Sequence, residues 1–219
     1  MIKAENLNFT YKGKIKTKAI VEASLKAHAG DFIALKGSSG GGKSTLLAIL
    51  GGLLEPDSGN ITINGKDLYS LSNKEISDYR STTLGFIFQE FNLIPFLSVK
   101  ENIMSPAIAH PIDNLEEKAE ELMIEFGLKE REEHKAEQLS TGEKQRTALA
   151  RALITSPSII LADEPTGNLD NKNCQTVLNS LRKFAAQGGI VIMATHSEKA
   201  ASAADSKLYI EKGKLCESV

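Results

Sequence analysis

Cysteine is nearly missing from this sequence. Cys174 and Cys216 are the only two in 219 residues, far apart and without a C-x-x-C spacing. That excludes a disulfide framework and favours free thiols in a reducing compartment. An excess of one charge sign is missing too. Lys and Arg number 26 against 28 Asp and Glu, a net charge of −2. A nucleic-acid binder shows a basic excess or a basic stripe, and neither is evident, so no nucleic-acid partner is expected. Long hydrophobic runs are also absent. The longest, residues 46–54, contains Gly51 and Gly52 and falls far short of the ~20 residues that span a bilayer. The opening Met-Ile-Lys-Ala-Glu-Asn carries charge where a secretory leader is apolar. The expected location is cytoplasmic, and any membrane role must come through a partner. What remains is ordinary globular composition, with 41% hydrophobic and 25% charged residues. Such a chain builds one large domain or a domain plus a lobe.

The densest signal lies at residues 37–45. Gly37, Ser38, Ser39, Gly40, Gly41, Gly42, Lys43, Ser44 and Thr45 fill the pattern G-x-x-x-x-G-K-[ST] without a gap. Glycines let the backbone turn back so that successive N–H groups point inward and cradle phosphates. Lys43 would reach the β- and γ-phosphates, and the Ser44 hydroxyl would bind Mg²⁺. The preceding Phe32-Ile33-Ala34-Leu35 is a short buried-strand signal, and residues 46–50 open a helix. Strand, glycine loop and helix N-terminus form the context that a phosphate loop requires.

Along the chain, Leu7, Phe9 and Tyr11 alternate with polar residues as in a half-buried strand. Ile61-Thr62-Ile63 followed by Asn64-Gly65 reads as a strand and a tight turn. Residues from about 90 to 150 turn helical. Asn114 is a candidate cap for a helix whose apolar face is Leu115, Ala119, Leu122, Met123 and Phe126, with Gly127 at its stop. The last third returns to buried strands at residues 159–162 and 190–194, runs that suit parallel strands covered on both faces. Residues 207–216 read as a closing hairpin.

Asp163 ends one of these apolar strands, and Glu164 follows it. An acid at a strand's carboxyl end beside a phosphate loop suits a second contact to Mg²⁺ or its water shell. Glu164 would then lie near the γ-phosphate, where a base for an attacking water is needed. Ser140 and Glu143 form a capping-box pattern, and Gly142 in the first helical turn leaves N–H groups free for an anion. Taken singly, His196, Gln89 and Tyr11 read as ordinary surface or edge residues.

The order of these features carries more than each alone. Tyr11, the loop at 37–45, Gln89, Leu139-Ser140-Thr141-Gly142, Asp163-Glu164, Asn168-Leu169-Asp170 and His196 follow one another in a single line. Over essentially the whole chain this resembles the nucleotide-binding subunit of ABC transporters. Other phosphate-loop classes fit less well. No Asn-Lys-x-Asp guanine reader is present, because Cys174 follows Asn171-Lys172-Asn173, and a small-molecule kinase has no need of Leu-Ser-x-Gly. The interval after the loop is too short for the long coiled coil of ABC-type DNA-maintenance ATPases. Three stretches, residues 88–95, Glu101-Asn102-Ile103 and residues 163–170, are similar to the subgroup of the lipoprotein-releasing ATPase LolD, the ATPase part of MacB and related peptide-exporter ATPases. The FtsE type, which signals through a membrane partner and moves no cargo, is the alternative.

The resemblance implies an α/β fold. A P-loop core with a mainly parallel sheet would carry an N-terminal antiparallel β subdomain and an inserted helical subdomain. One domain would span residues 1–219, with the core in 1–90 and 156–219 and the helical part at about 91–155. It implies an ATPase with ATP and Mg²⁺ as ligands. Tyr11 would stack on adenine, and Gln89 would sense Mg²⁺ and the attacking water. Glu164 would polarise that water, and His196 would contact the γ-phosphate. Ser140, Gly142 and Asp170 would act on ATP held by a second copy, giving a head-to-tail homodimer attached to a permease of the MacB or LolC–LolE type on the cytoplasmic membrane face. Two residues depart from the family's Leu-Ser-Gly-Gly-Gln: Thr141 stands for the first glycine, and Glu143 for the glutamine. Thr141 adds a Cβ near that phosphate. Glu143 brings negative charge towards a polyanion, less so if it turns back onto Ser140. The permease is expected near residues 89–106, where Phe91, Leu93, Ile94, Phe96 and Leu97 form an apolar cluster.

Overall fold

The structure, a computed structural model, describes residues 1–13 and 16–217. The chain opens with the hairpin β1 (Ile2–Lys12) and β2 (Lys16–Ala27), then β3 (Phe32–Lys36), the P-loop and α1 (Lys43–Leu50). Next come β4 (Ser58–Ile63), β5 (Lys66–Asp67), α2 (Asn73–Thr82) and β6 (Leu84–Ile87). The middle is helical, with α3 (Val99–Met104), α4 (Leu115–Glu125) and α5 (Thr141–Leu153). The last third alternates β7 (Ile159–Asp163), α6 (Asn171–Ala186), β8 (Ile190–Ala194) and α7 (Glu198–Ala201), and closes with β9 (Ser206–Glu211) and β10 (Lys214–Glu217).

Two sheets form. One is antiparallel, in the order β2-β1-β4-β5, and the other runs β10-β9-β3-β8-β7-β6. In the second, β9, β3, β8, β7 and β6 pair in parallel, and only β10 is antiparallel. Alternation along the central strands explains their continuous apolar runs. Phe32, Ala34, Ile160, Ala162, Val191 and Met193 face one core, shared with α6 and with α3, α4 and α5. Ile33, Leu35, Ile159, Leu161, Ile190 and Ile192 face the other, shared with α1 and the antiparallel sheet. The middle helices therefore close onto the same core as one face of the parallel sheet.

Local signals set the helix ends. Ser72–Glu75, Ser98–Glu101 and Ser140–Glu143 each make a full capping box. Asn114 does precede α4, but its side chain makes no capping bond and its backbone is left-handed, at φ 53°. The expected side-chain cap is thus replaced by an αL entry, which asparagine tolerates better than most residues. Residues 90–98 are not helical. The fully buried Asn102 organises this loop: its amide accepts from Ile94 N–H at 2.8 Å and donates to the carbonyls of Ile94, Leu97 and Ser98 at 3.0–3.1 Å. Arg151 holds the carbonyls of Phe91 and Asn92.

Parallel pairing brings the carboxyl ends of β3, β7, β8 and β6 to one edge of the sheet. The P-loop leaves β3 there, Asp163 ends β7, His196 follows β8 and Gln89 follows β6.

Candidate functional site

The P-loop reverses direction at a point that only glycine fits. Gly42 has φ 109°, and a Cβ there would lie 2.5 Å from the carbonyl oxygen of Ala19. The next residue starts α1, which has no side-chain cap and no acidic residue in its first turn. Its free N–H groups and positive dipole end are therefore uncompensated within the helix. Lys43 is buried, and its ammonium donates to the carbonyls of Gly37 at 2.9 Å and Ser38 at 3.0 Å. These bonds hold the cation in the mouth of the loop.

A cleft of about 520 Å³ opens above this loop. Ser39, Gly40, Gly42, Lys43, Ser44 and Thr45 form its floor, and Tyr11 stands at one end with its hydroxyl 3.2 Å from Thr45 Oγ1. Gln89, Asp163, Glu164 and His196 complete the lining. Asp163 Oδ1 is buried without a hydrogen-bond partner. Burial pushes this carboxyl above the ordinary aspartate range and neighbouring Glu164 adds to the shift, while the Ser44 hydroxyl and Lys43 oppose it. Glu164 has a left-handed backbone, φ 46°, fixed by its N–H donating to Ala194 O at 3.0 Å. A non-glycine residue held in this region stores strain, of a kind that gathers at functional sites. Its carboxylate lies 3.0 Å from His196 Nδ1 and accepts from the His196 backbone N–H at 3.3 Å.

The structure thus brings Tyr11, the P-loop, Gln89, Asp163, Glu164 and His196 around one cavity. Gly37, Ser38 and Gly41 belong to the loop backbone and do not line the cavity. Thr17, Lys18 and Ala19 also line it, and the sequence reading missed them. No local sequence signal marks them; the hairpin register, which sets Thr17 opposite Tyr11, brings them there.

Ser140, Gly142, Glu143 and Asp170 do not line the cleft. Ser140 caps α5, and its hydroxyl and N–H both donate to Glu143 Oε2, at 2.7 and 2.8 Å. The other Glu143 oxygen accepts from Arg131 Nε at 2.9 Å. Burial works against the charged carboxyl, but the Ser140 bonds and Arg131 outweigh it and hold the group at about 2. The turned-back arrangement is the one in which Glu143 brings least charge towards a ligand. Asp170 caps α6 through Asn173.

Residues 20–167 match the family model described as ABC transporter. The chain belongs to the ABC transporter family. It is an ATP-binding, ATP-hydrolysing cassette of that family. It is 44% identical over 195 residues to the lipoprotein-releasing system ATP-binding protein LolD 1 of Rhodopirellula baltica, covering 88% of this chain and 85% of that one. It is 41% identical to the macrolide export ATP-binding/permease protein MacB of Bdellovibrio bacteriovorus over 97% of this chain, but it spans only 33% of that longer protein. The dimeric ATP-binding cassette MJ0796 bound to ADP and Pi superposes with a TM-score of 0.92 at 35% identity, over 99% of this chain and 98% of that one. The α/β fold, with a mainly parallel sheet and an antiparallel N-terminal sheet, is the one expected from the sequence.

Proposed function

We propose that this chain holds Mg²⁺-ATP in the cleft, hydrolyses it, and closes as an ATP-dependent head-to-tail homodimer that drives a membrane permease. The division of the site carries the reading. A cleft with phosphate cradle, acid pair and histidine lacks Ser140, Gly142 and Asp170, which gather at two other helix starts. A second copy supplies them.

In this reading Tyr11 stacks on the base. Lys43 exchanges the carbonyls of Gly37 and Ser38 for phosphate oxygens. Asp163 and Ser44, with Gln89, fit Mg²⁺, because Asp163 Oδ1 is a buried oxygen with no other partner. The ion, when bound, supplies counter-charge to the phosphates. Glu164 takes a proton from the water that attacks the terminal phosphorus; the bond to the leaving ADP oxygen breaks and that oxygen keeps the electron pair. His196 is placed to hold both Glu164 and the terminal phosphate. Among the described residues no helix is long and apolar enough to cross a membrane. In this reading the chain reaches the membrane through the permease, on its cytoplasmic face. Phe96, 72% exposed, and Ile108, 88% exposed, are the apolar contacts offered to it, while Leu93 packs inward on the core. Lipoprotein release and macrolide export, the tasks in the relatives' names, set the class of partner.

Glu164→Gln tests the reading. With ATP and Mg²⁺ the variant is expected to run as a dimer by light scattering, with hydrolysis lowered at least about 100-fold. A strict monomer at saturating ATP overturns the shared-site model.

A further inference from the structure

The starts of α5 and α6 are joined by one side chain. Asp170 Oδ1 accepts from the Asn173 backbone N–H at 2.8 Å, and Oδ2 accepts from Asn173 Nδ2 at 2.8 Å. On its other side the Asn173 amide oxygen accepts from Arg146 Nη1. Arg146 lies four residues after Gly142, on the same face of α5. Arg146 Nε is buried without a partner, so this guanidinium has little else to hold.

Gly142 lies directly beneath the same amide. A Cβ there would stand 2.6 Å from Asn173 Nδ2, 2.7 Å from Cγ and 2.9 Å from Oδ1. Gly142 is not among the residues of positive φ, so its backbone makes no demand for glycine. What demands it is the space taken by the amide. The tip of a free asparagine would swing aside cheaply, but this one is fixed at both ends by hydrogen bonds.

We propose that Asn173 is a positioning residue that latches the segment bearing Ser140 to the segment bearing Asn168 and Asp170, and that Gly142 is glycine so that the latch can close. An amide suits the task because it donates to a carboxylate and accepts from a guanidinium at once. Neither aspartate, which repels Asp170, nor alanine does both. The consequence for function rests on the head-to-tail reading above: the two segments offered to the second copy move as a single unit. An alanine at position 142 then acts through Asn173. It expels the amide, releases Asp170 and leaves Arg146 without its acceptor.

The test begins with the nucleotide-free monomer, where dimerisation plays no part. Hydrogen exchange in Asn173→Ala and in Gly142→Ala is expected to speed up at the starts of both α5 and α6, with exchange in α1 and β3 unchanged. The second step is done in the Glu164→Gln background, by light scattering. Asn173→Ala should raise the ATP concentration for half-maximal dimerisation about three- to tenfold, the worth of one or two hydrogen bonds. The double variant Gly142→Ala/Asn173→Ala should be no worse than Gly142→Ala alone within about twofold. Faster exchange in one segment only, or additive losses in the double variant, overturns the latch. Absence of any dimer in Glu164→Gln itself overturns the shared-site reading instead, and the exchange data still decide the latch.

Discussion

The P-loop and the Ser140 segment both set a serine at a helix start, and they treat it in opposite ways. At α1 the first turn has no acidic residue and no side-chain cap, and the cap position is a glycine. At α5 a capping box closes on Ser140, and its Glu143 is in turn held by Arg131. The first helix start is open to an anion. The second pairs the N–H groups of Ser140 and Glu143 through its own capping box and meets its dipole with a carboxylate. A helix N-terminus alone is thus no measure of phosphate affinity; what counts is whether the chain has neutralised it. Under the proposed shared site, the first helix start binds in the monomer, and the Ser140 hydroxyl exchanges its bond to Glu143 when it meets a nucleotide held by the second copy.

The largest expected contrast lies between Lys43 and Ser140. Lys43→Ala should weaken ATP binding to the monomer about ten- to a hundredfold by equilibrium titration, because charge-assisted bonds to phosphate are lost. Ser140→Ala should leave that monomer affinity within about twofold. Equal losses in the two variants would erase the distinction between an open and a closed helix start. Next comes Asp163→Asn. It should lower turnover about 100-fold or more. It should also raise the melting temperature of the ligand-free protein by about 2–4 °C, since it removes a buried carboxylate whose Oδ1 has no partner. A lower melting temperature would mean that Asp163 holds the fold rather than a ligand.

The smallest effect concerns Glu143. Glu143→Gln keeps the cap's shape but loses the ion pair with Arg131. It should cost about 1 kcal/mol, or about 2–4 °C in melting temperature. Against burial, the Ser140 bonds and Arg131 hold the folded carboxyl down at about 2, below its usual value of about 4.3. Its contribution is therefore complete above about pH 5 and is lost as pH falls towards 2. Calorimetry should show the gap between wild type and variant narrowing from pH 6 to pH 2.5. A gap that widens in acid would place the stabilisation elsewhere.

The P-loop, the central strands and the Ser140–Glu143 capping box were legible because each is written in contiguous residues with a fixed local geometry. Ser140 and Glu143 cap their helix through their own backbone N–H groups. Asn114 misled on its side chain, because the left-handed entry it adopts leaves no backbone donor bonded to that side chain. The lining by Thr17, Lys18 and Ala19 was not legible, since it depends on which residues the hairpin sets beside Tyr11. Asn102 was noticed as part of a motif, but its role in tying down the 90–98 loop appeared only with the backbone groups around it.

By itself the sequence determined a phosphate loop, buried strands of the kind that suit a parallel α/β core, and an acid pair at the end of one of those strands; the order of its motifs resembled that of the family. The first three rest on local spacing or on hydrophobic periodicity, which neighbouring residues impose on one another. Only the tertiary structure decided that Glu143 faces back onto Ser140 and Arg131, that Asp163 Oδ1 is buried without a partner, and that Gly142 yields its space to Asn173. These are contacts between side chains from different elements. Polar pairing across elements has no period along the chain, so it is settled only when packing brings the groups together.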